Sequence, residues 1–465
     1  MFAYDAIAYE GQPVAQAHPE RLAVLGFLHG MSPAPIERAR VLELGCGNGA
    51  HLVPFAITYP ESHCTGIDLS GAAIGRGRER IAKLGLRNIR LEQRDIAGIG
   101  PDSGEFDYII AHGVYSWVPE PVRDKVIAIA RDNLAPQGIA FIDYNAYPGC
   151  HIRMMLREML LFQVDGIDDP GLKLQHAYAL LNLLAQSPNQ VLADEAKHAR
   201  ERPGWQLYHD DLGEEFFPVY FSQFMQHARE HRLQFLADAQ YPTQQLFTQP
   251  AEVAETIRAA SRGDAVLEQQ YLDFVEMRRF RHTLLCREEI TLERPPDARR
   301  IKQLYVATQA ERTAPGEFRG PRGAGMKTNL DYALAAMDYL SERRPAAVPF
   351  AELAESVAVD ADTLAQFLLG TFAAGLVELH TVPSKFTIEP GERPRAFSLA
   401  RLEAAEGDQI ITTMRHHSIE LRDDGARRAI ILLDGTHDRA ALARELGGKV
   451  EDNLAQLARL GLIEA

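Results

Sequence analysis

Cysteine is scarce in this chain of 465 residues, which contains only four. Cys46, Cys64, Cys150 and Cys286 are far apart and form no C-x-x-C pair, which argues against a structural zinc site and against a disulfide framework. The run from His209 to Asp211 has no companion ligands at the expected spacing. The sequence therefore predicts no metal site.

Long apolar runs are also missing. No stretch of 18 apolar residues occurs, and the first ten residues lack the basic-then-apolar pattern of a secretory signal. These features predict a cytoplasmic protein without membrane insertion.

Positive charge is in deficit, because the formal net charge is −15. Residues 327–465 carry 15 basic and 22 acidic side chains, so the C-terminal part shares the deficit. Binding to nucleic acid needs a basic face to neutralise phosphates, and the sequence therefore predicts no nucleic-acid partner. Basic proteins or peptides would instead be attracted.

Apolar runs alternate with helical patterns in the first third of the chain, as expected for a parallel sheet with helices on both faces. The predicted strands are Arg40–Leu44, His63–Ile67, Asn88–Leu91, Phe106–Ala111 and Gly138–Asn145, and the predicted helices are His51–Tyr59, Gly71–Leu84 and Val122–Leu134. This pattern predicts an α/β fold of Rossmann-like type with a ligand crevice at the carboxyl ends of the strands.

The sequence predicts that the chain is divided into a core domain, a second helical region, a linker and a C-terminal region. Residues 1–150 form the α/β core, and residues 151–300 form helices plus two strands, Leu233–Ala237 and Thr283–Leu292, that complete the sheet as an antiparallel edge pair. Residues 301–326, rich in glycine and proline, predict a flexible linker. Residues 327–465 contain two weakly similar helix-Gly-strand units, at Thr363–Leu379 and Asp452–Glu464, that predict a winged-helix-like α+β region.

The motif E-L-G-C-G-N-G, Glu43 to Gly49, joins the first predicted strand to a helix. Gly45 and Gly47 permit close approach of a ligand and backbone angles barred to other residues. The helix start offers free N–H groups to an anion. An ordinary tight turn and a dinucleotide-binding loop ending at Ala50 are the alternatives, and the downstream residues decide between them.

Acidic residues end the next two predicted strands. Asp68 in G-I-D-L-S lies where a carboxylate can accept both ribose hydroxyls, and Asp95 could accept the amino group of an adenine on which Ile96 packs. This succession resembles the class I methyltransferases over about the first 145 residues. The resemblance implies S-adenosylmethionine as the cofactor, with Glu43, Gly45, Cys46, Gly47, Asn48, Asp68, Leu69, Asp95 and Ile96 in its site.

A closer resemblance extends beyond this core. The motifs are Tyr9-Glu10-Gly11, Ala17-His18-Pro19, A-H-G-V-Y-S-W-V-P from Ala111, Y-N-A-Y-P-G from Tyr144, and the run from Gln270 to Cys286. They resemble bacterial methyltransferases that carry a methyltransferase regulatory domain, here about Leu207 to Arg287, a group that includes rickettsial protein-lysine methyltransferases. The resemblance implies a protein or peptide lysine as the acceptor and a homodimer.

Methyl transfer to an amine requires alignment, exclusion of water and a neutral nitrogen, since the unperturbed lysine pKa is roughly 10.4. Four aromatic residues that follow strands four and five are predicted to form the acceptor channel: Tyr115, Trp117, Tyr144 and Tyr147. Their alternative is an ordinary place in the core. His112 is predicted to contact the methionine end of the cofactor or to act as a base. Tyr4, Tyr9 and His18 are predicted to fold over the cofactor as a lid.

Two other functions fit the same sequence features. One is methylation of a small metabolite, and the other is a non-catalytic protein that senses S-adenosylmethionine. A nucleobase acceptor is disfavoured, because Ala-His-Gly-Val from Ala111 stands where the N-P-P-Y motif of such enzymes would follow strand four.

Overall fold

The computed structural model describes residues 7 and 9, residues 11–447 and residues 450–465. Its largest sheet is built from the buried apolar runs near the N-terminus and from two later strands. The strands are β1 (Arg40–Leu44), β2 (His63–Asp68), β3 (Ile89–Gln93), β4 (Phe106–Ala111), β5 (Leu134–Tyr147), β6 (Val219–Tyr220), β7 (Leu233–Asp238) and β8 (Phe280–Arg287).

The strand order is β3–β2–β1–β4–β5–β8–β7, and β6 pairs with the end of β5. Strands β1 to β5 are parallel, whereas β8 runs antiparallel to β5 and β7 antiparallel to β8. The predicted Rossmann-like sheet with its antiparallel edge pair is thus confirmed. The last strand begins at Phe280 and ends at Arg287, so the predicted range of 283–292 is displaced.

Helices cover both faces of this sheet. Four accompany the parallel strands: α1 (Pro19–Leu28), α2 (Leu52–Thr58), α3 (Gly71–Leu84) and α4 (Glu120–Asp132). Seven follow β5: α5 (Cys150–Gln163), α6 (Pro170–Leu184), α7 (Gln190–Arg200), α8 (Gly204–Asp211), α9 (Phe221–Glu230), α10 (Ala251–Ser261) and α11 (Ala265–Glu276). Tyr108 and Ile110 of β4 pack with α1 and α2, and Ile109 packs on the opposite face with α4 and α9, as strand alternation requires.

Helix α9 begins at Phe221 and does not include the preceding aromatic pair Phe216-Phe217. Pro218 explains this start, because a proline disfavours helical angles in the residue before it and lacks the N–H that a helix interior needs. The residues before α9 form the short strand β6.

The segment predicted to be a flexible linker is folded, and this prediction is corrected. It contributes β9 (Tyr305–Thr308) and a three-stranded antiparallel sheet of β10 (Glu311–Ala314), β11 (Glu317–Arg319) and β12 (Gly325–Lys327). Gly316, with φ of +74°, makes the turn between β10 and β11, and Phe318 is 1% exposed. The glycine therefore forms a tight turn around a buried aromatic anchor.

The C-terminal region is a mixture of short helices and small sheets, as predicted. Its helices are α12 (Asp331–Glu342), α13 (Phe350–Glu355), α14 (Ala361–Ala373), α15 (Ser398–Glu406), α16 (Asp424–Leu432), α17 (Arg439–Leu446) and α18 (Val450–Arg459), and its strands are β13 (Val348–Pro349), β14 (Val377–His380), β15 (Ile410–Thr412) and β16 (Ser418–Glu420). β9 lies between β13 and β14. After α18 the chain forms isolated bridges, Phe386 with Glu464 and Ala396 with Ile463.

One hydrophobic core runs from α1, α2 and β1 into α14 and α15, so the C-terminal region packs directly on the Rossmann-like sheet. Within the described part of the chain, no helix is both long and apolar enough to cross a membrane.

Candidate active site

The glycine-rich loop after β1 turns sharply at the carboxyl edge of the sheet. Gly45 and Gly47 have φ of +73° and +54°, values that favour glycine. A Cβ at Gly45 would lie 2.6 Å from Val114 Cγ2, whereas a Cβ at Gly47 would meet nothing within 4 Å. Gly45 thus permits close packing under the loop, and Gly47 leaves open space beside it.

Asp68, at the end of β2, holds this loop in place. Its Oδ2 accepts a hydrogen bond from Gly47 N at 2.8 Å, and its Oδ1 accepts one from Ser70 N at 2.8 Å. Ser70 in turn caps α3, because its Oγ accepts from Ala73 N at 3.1 Å. A carboxylate can accept about four hydrogen bonds, so Asp68 has capacity left for the two hydroxyls of a ribose.

The residues predicted beside Asp68 lie along the same edge. Leu69 is 48% exposed, and Asp95 is exposed with its Oδ1 accepting from Ala97 N at 2.8 Å. Ile96 is half-buried against the core that includes α4. In the glycine loop, Asn48 Oδ1 accepts from Ala50 N at 3.2 Å. The Cys46 side chain is buried, and its backbone N–H donates to Ile67 O at 3.0 Å.

Glu43 is a buried acid beneath the glycine loop. It is 4% exposed, and its Oε2 has no hydrogen-bond partner among the described residues. Burial raises its pKa to about 8, against the smaller opposing effect of His112. The side chain is therefore mainly protonated at neutral pH.

His112 follows β4 and lies against Asp143 of β5. The His112 Nδ1 is hydrogen-bonded to Asp143 Oδ2, and Gly113 N donates to Asp143 Oδ1 at 2.8 Å. Asp143 is 1% exposed, whereas the His112 side chain is 36% exposed. Burial alone would lower the pKa of His112, but the charge and hydrogen bond of Asp143, together with Glu43 and Asp210, raise it above its ordinary value.

Three separate parts of this chain match known methyltransferase families. Residues 41–138 match the model described as a methyltransferase domain, residues 205–287 the model described as a predicted methyltransferase regulatory domain, and residues 392–461 the model described as a PKMT C-terminal winged helix domain. The structure of PKMT2 from Rickettsia typhi superimposes with a TM-score of 0.86 at 26% identity, covering 98% of this chain and 99% of that one. A second structure of PKMT2, in complex with AdoHcy, gives a TM-score of 0.84.

Two uncharacterized proteins of Rickettsia prowazekii are similar in sequence. One is 37% identical over 310 residues, which are 65% of this chain and 56% of the relative. The chain thus spans only about half the length of that relative. The other is 35% identical over 240 residues, which are 50% of this chain and 96% of the relative. The chain belongs to the S-adenosylmethionine-dependent methyltransferases with a regulatory domain and a PKMT-type winged helix domain.

Two of the aromatic residues predicted to line an acceptor channel of this methyltransferase lie in its core instead, which corrects their assignment. Tyr115 is 3% exposed, and its hydroxyl group is 2.9 Å from His227 Nδ1. Tyr144 is 1% exposed, stacks on Phe224 and has its hydroxyl group 3.0 Å from Thr283 Oγ1. Neither hydroxyl group is placed to contact an acceptor.

The other two aromatic residues are half-buried and remain candidates. Trp117 packs against Phe216, with the guanidinium of Arg153 5.6 Å from its ring centroid. Tyr147 stacks on His151 with ring centroids 4.1 Å apart. Their exposed faces keep them available to a substrate side chain.

The predicted lid is only partly supported. His18 caps α1, with its Nδ1 accepting from Glu20 N at 3.2 Å, and its ring packs on Phe55 and His416. Its role as a cofactor contact stays a prediction. Tyr9 is 40% exposed, packs against Trp205 with ring centroids 4.6 Å apart, and lines a cavity of about 530 Å³ to which Gly11 and Asn48 also contribute. Tyr4 lies outside the described residues.

Sequence reasoning missed Asp143, which the structure places against the partly exposed ring of His112. The available signal was an acid within the apolar run Phe141-Ile142-Asp143-Tyr144. A charge buried in a central strand is costly unless it is paired, so such an acid predicts a partner. Strand alternation directs Asp143 and Tyr144 to opposite faces of the sheet.

Proposed function

We propose that this methyltransferase transfers a methyl group from S-adenosylmethionine to the side-chain amine of a lysine in a protein. The observation that carries the proposal is the likeness to PKMT2 over 98% of this chain, which includes the regulatory and C-terminal parts as well as the catalytic core. The abbreviation PKMT denotes a protein-lysine methyltransferase. A net charge of −15 favours basic protein substrates.

The residues at the sheet edge fit the proposed cofactor. Gly47 leaves open space, Asp68 has unused acceptor capacity, and the buried Glu43 Oε2 has no partner among the described residues. When bound there, S-adenosylmethionine supplies a methyl group activated by its sulfonium charge. Asp68, Asp95 and Ile96 would hold its adenosine part, and the glycine loop its methionine part.

The chain's own residues would prepare the acceptor. Lysine must lose a proton before its nitrogen can form the new bond, and His112 offers Nε2 as the accepting atom because its Nδ1 is held by Asp143. The carboxylates of Asp143 and Asp210 act on the His112 ring and would favour cationic groups nearby. Trp117 and Tyr147 would flank the acceptor side chain and exclude water.

The proposal is tested by incubating the purified full chain with isotopically labelled methyl donor and a bacterial lysate. We expect label on lysine side chains by mass spectrometry, and loss of that label when the lysate proteins have been dimethylated chemically beforehand. His112→Asn removes the proposed proton acceptor and leaves Asp68 and the glycine loop unchanged, and it should transfer less label. Label found only on small molecules would instead support a metabolite methyltransferase, and tight donor binding without transfer would support a sensor.

Two further assignments belong to this proposal. We propose a homodimer, which the exposure of Phe162 (85%) and Leu183 (66%) on α5 and α6 supports, and light scattering coupled to size exclusion measures it. The cytoplasmic location is also a proposal, and cell fractionation tests it.

A further inference from the structure

A second cluster of polar side chains lies on the surface where α4 meets α9. Asp124 of α4 places Oδ1 3.2 Å from His227 Nε2 and 2.7 Å from His231 Nε2. The two histidines are four residues apart, with His227 in the last turn of α9 and His231 at its C-cap, and their ring centroids are 5.5 Å apart. The three candidate ligand atoms lie within 4.8 Å of one another.

The ring orientation of His227 is fixed by a hydrogen bond at its other nitrogen, Nδ1. Its Nδ1 is 2.9 Å from the hydroxyl group of Tyr115, which is itself buried at 3% exposure. Histidine ligands of metals typically donate their second ring N–H to a polar group, which fixes the tautomer and directs the other nitrogen at the ion. Tyr115 thus directs the Nε2 of His227 toward Asp124 and His231.

We propose that Asp124, His227 and His231 bind one divalent transition-metal ion of the zinc type. Two imidazole nitrogens and one carboxylate oxygen are suitable zinc ligands at roughly 2.0–2.2 Å, and water completes a four-coordinate site that has three protein ligands. Imidazole ligands also disfavour magnesium and calcium, which prefer oxygen. The side chains are 58%, 21% and 23% exposed, so the ion would be accessible from solvent.

The ion would join two parts of the molecule. Asp124 lies within the match to the methyltransferase domain, residues 41–138, and the two histidines lie within the match to the regulatory domain, residues 205–287. Tyr115 connects the cluster to the loop that begins at His112 after β4. Metal binding would therefore stabilise the junction that supports this loop.

Local spacing did not predict this site, because its ligands are distant in sequence. His227 and Asp124 are 103 residues apart, and only the packing of α9 on α4 brings them together. The expectation of no metal site, drawn from cysteine spacing and from His209 to Asp211, is thus revised by the proposal.

The test uses the full chain without an affinity tag, freed of metal by a chelator and titrated with Zn²⁺ by calorimetry. Co²⁺ serves as a spectroscopic probe, since its visible absorption reports nitrogen and oxygen ligands. We expect one equivalent to bind and the midpoint of thermal unfolding to rise with free Zn²⁺. His231→Asn and Asp124→Asn should each weaken binding at least tenfold. Tyr115→Phe should weaken Zn²⁺ binding about tenfold, because the variant lacks the hydroxyl group that is hydrogen-bonded to His227 Nδ1.

His63→Asn is the matched control, because His63 is exposed at the start of β2 and belongs to no candidate metal-binding group among the described residues. Circular dichroism of each variant checks that these surface substitutions leave the fold intact. Failure of the wild-type chain to bind Zn²⁺ overturns the proposal. Unchanged affinity in both His231→Asn and Asp124→Asn overturns it as well, because the ion would then occupy another group of histidines.

Discussion

Asp143 and His112 form a hydrogen-bonded pair in which a fully buried carboxylate orients a partly exposed imidazole at the carboxyl edge of the sheet. The same carboxylate accepts from Gly113 N at 2.8 Å, so it fixes the backbone of the loop as well as the ring. One buried acid therefore sets both the position of His112 and its affinity for a proton.

The pair predicts how methyl transfer depends on pH. His112 accepts a proton only when its ring is neutral. Because its pKa lies above the ordinary value, the pH profile of kcat/KM should have a rising limb that lies above about pH 6.5. Asp143→Asn removes the charge that raises the pKa and leaves the burial that lowers it, so the limb should move to lower pH. His112→Asn should reduce kcat by roughly 10²- to 10⁴-fold.

Rates are measured from about pH 5 to pH 9 with a fixed peptide acceptor. Asp102→Asn, a change in an exposed acid, is the control and should leave the limb in place. If the rising limb does not move in Asp143→Asn, the group that titrates is the acceptor lysine and not His112.

Asp68→Asn should weaken binding of the cofactor product, S-adenosylhomocysteine. The amide keeps one acceptor oxygen, but its NH₂ group cannot accept from Ser70 N, and the charged partner of the ribose hydroxyls is lost. We expect a loss of about 1–3 kcal/mol in binding free energy, measured by calorimetry. Asp102→Asn again serves as the control, and an equal dissociation constant in Asp68→Asn would mean that the carboxylate does not contact the cofactor.

The sheet could be predicted from the sequence because its signals are local. β1 is an apolar run between Arg40 and a glycine loop, and its predicted bounds agree with the structure, as do those of β4 and α3. The folded segment around Phe318 could not be predicted, because the glycines and prolines of a small sheet resemble those of a linker. Its order depends on packing between distant residues.

The site was predictable where backbone geometry requires particular residues, and less so where side chains meet. Gly45, Gly47 and Asp68 are recognisable because a turn and a strand end demand them. Tyr144 was selected for its aromatic ring, yet it faces Phe224, while its neighbour Asp143 faces His112. Which of two adjacent residues points to a site depends on the register of β5, and a prediction that begins at Gly138 does not fix that register.

Glu43→Gln should alter the pH dependence of stability. Because the folded-state pKa of Glu43 is about 8, above its unfolded value of 4.5, the carboxyl group stabilises the fold most below pH 4.5 and loses this contribution as pH rises through 8. Glutamine has a similar shape and no such titration. The variant should therefore become progressively more stable relative to wild type between these pH values, as measured by urea unfolding.

Glu61→Gln provides the comparison, since the Glu61 side chain is 66% exposed. A flat difference for Glu43→Gln would mean that this carboxyl group ionises normally in the folded protein.

His380→Gln should loosen the attachment of the C-terminal region to α1. His380 Nδ1 lies 3.2 Å from Glu20 Oε2, and its Nε2 lies 3.8 Å from Glu378 Oε2. Burial opposes the charged ring, but the two carboxylates raise its pKa to about 10. The stabilisation is thus fully present below the unfolded value of 6.5 and is lost as pH rises through 10.

We expect the His380→Gln variant to lose about 2 kcal/mol of unfolding free energy at neutral pH, because hydrogen bonds to charged groups are broken. The loss should shrink at higher pH in urea unfolding, whereas His63→Gln should show no loss at either pH. An equal loss for His380→Gln at both pH values would indicate that the ring contributes by packing and that its charge is not required.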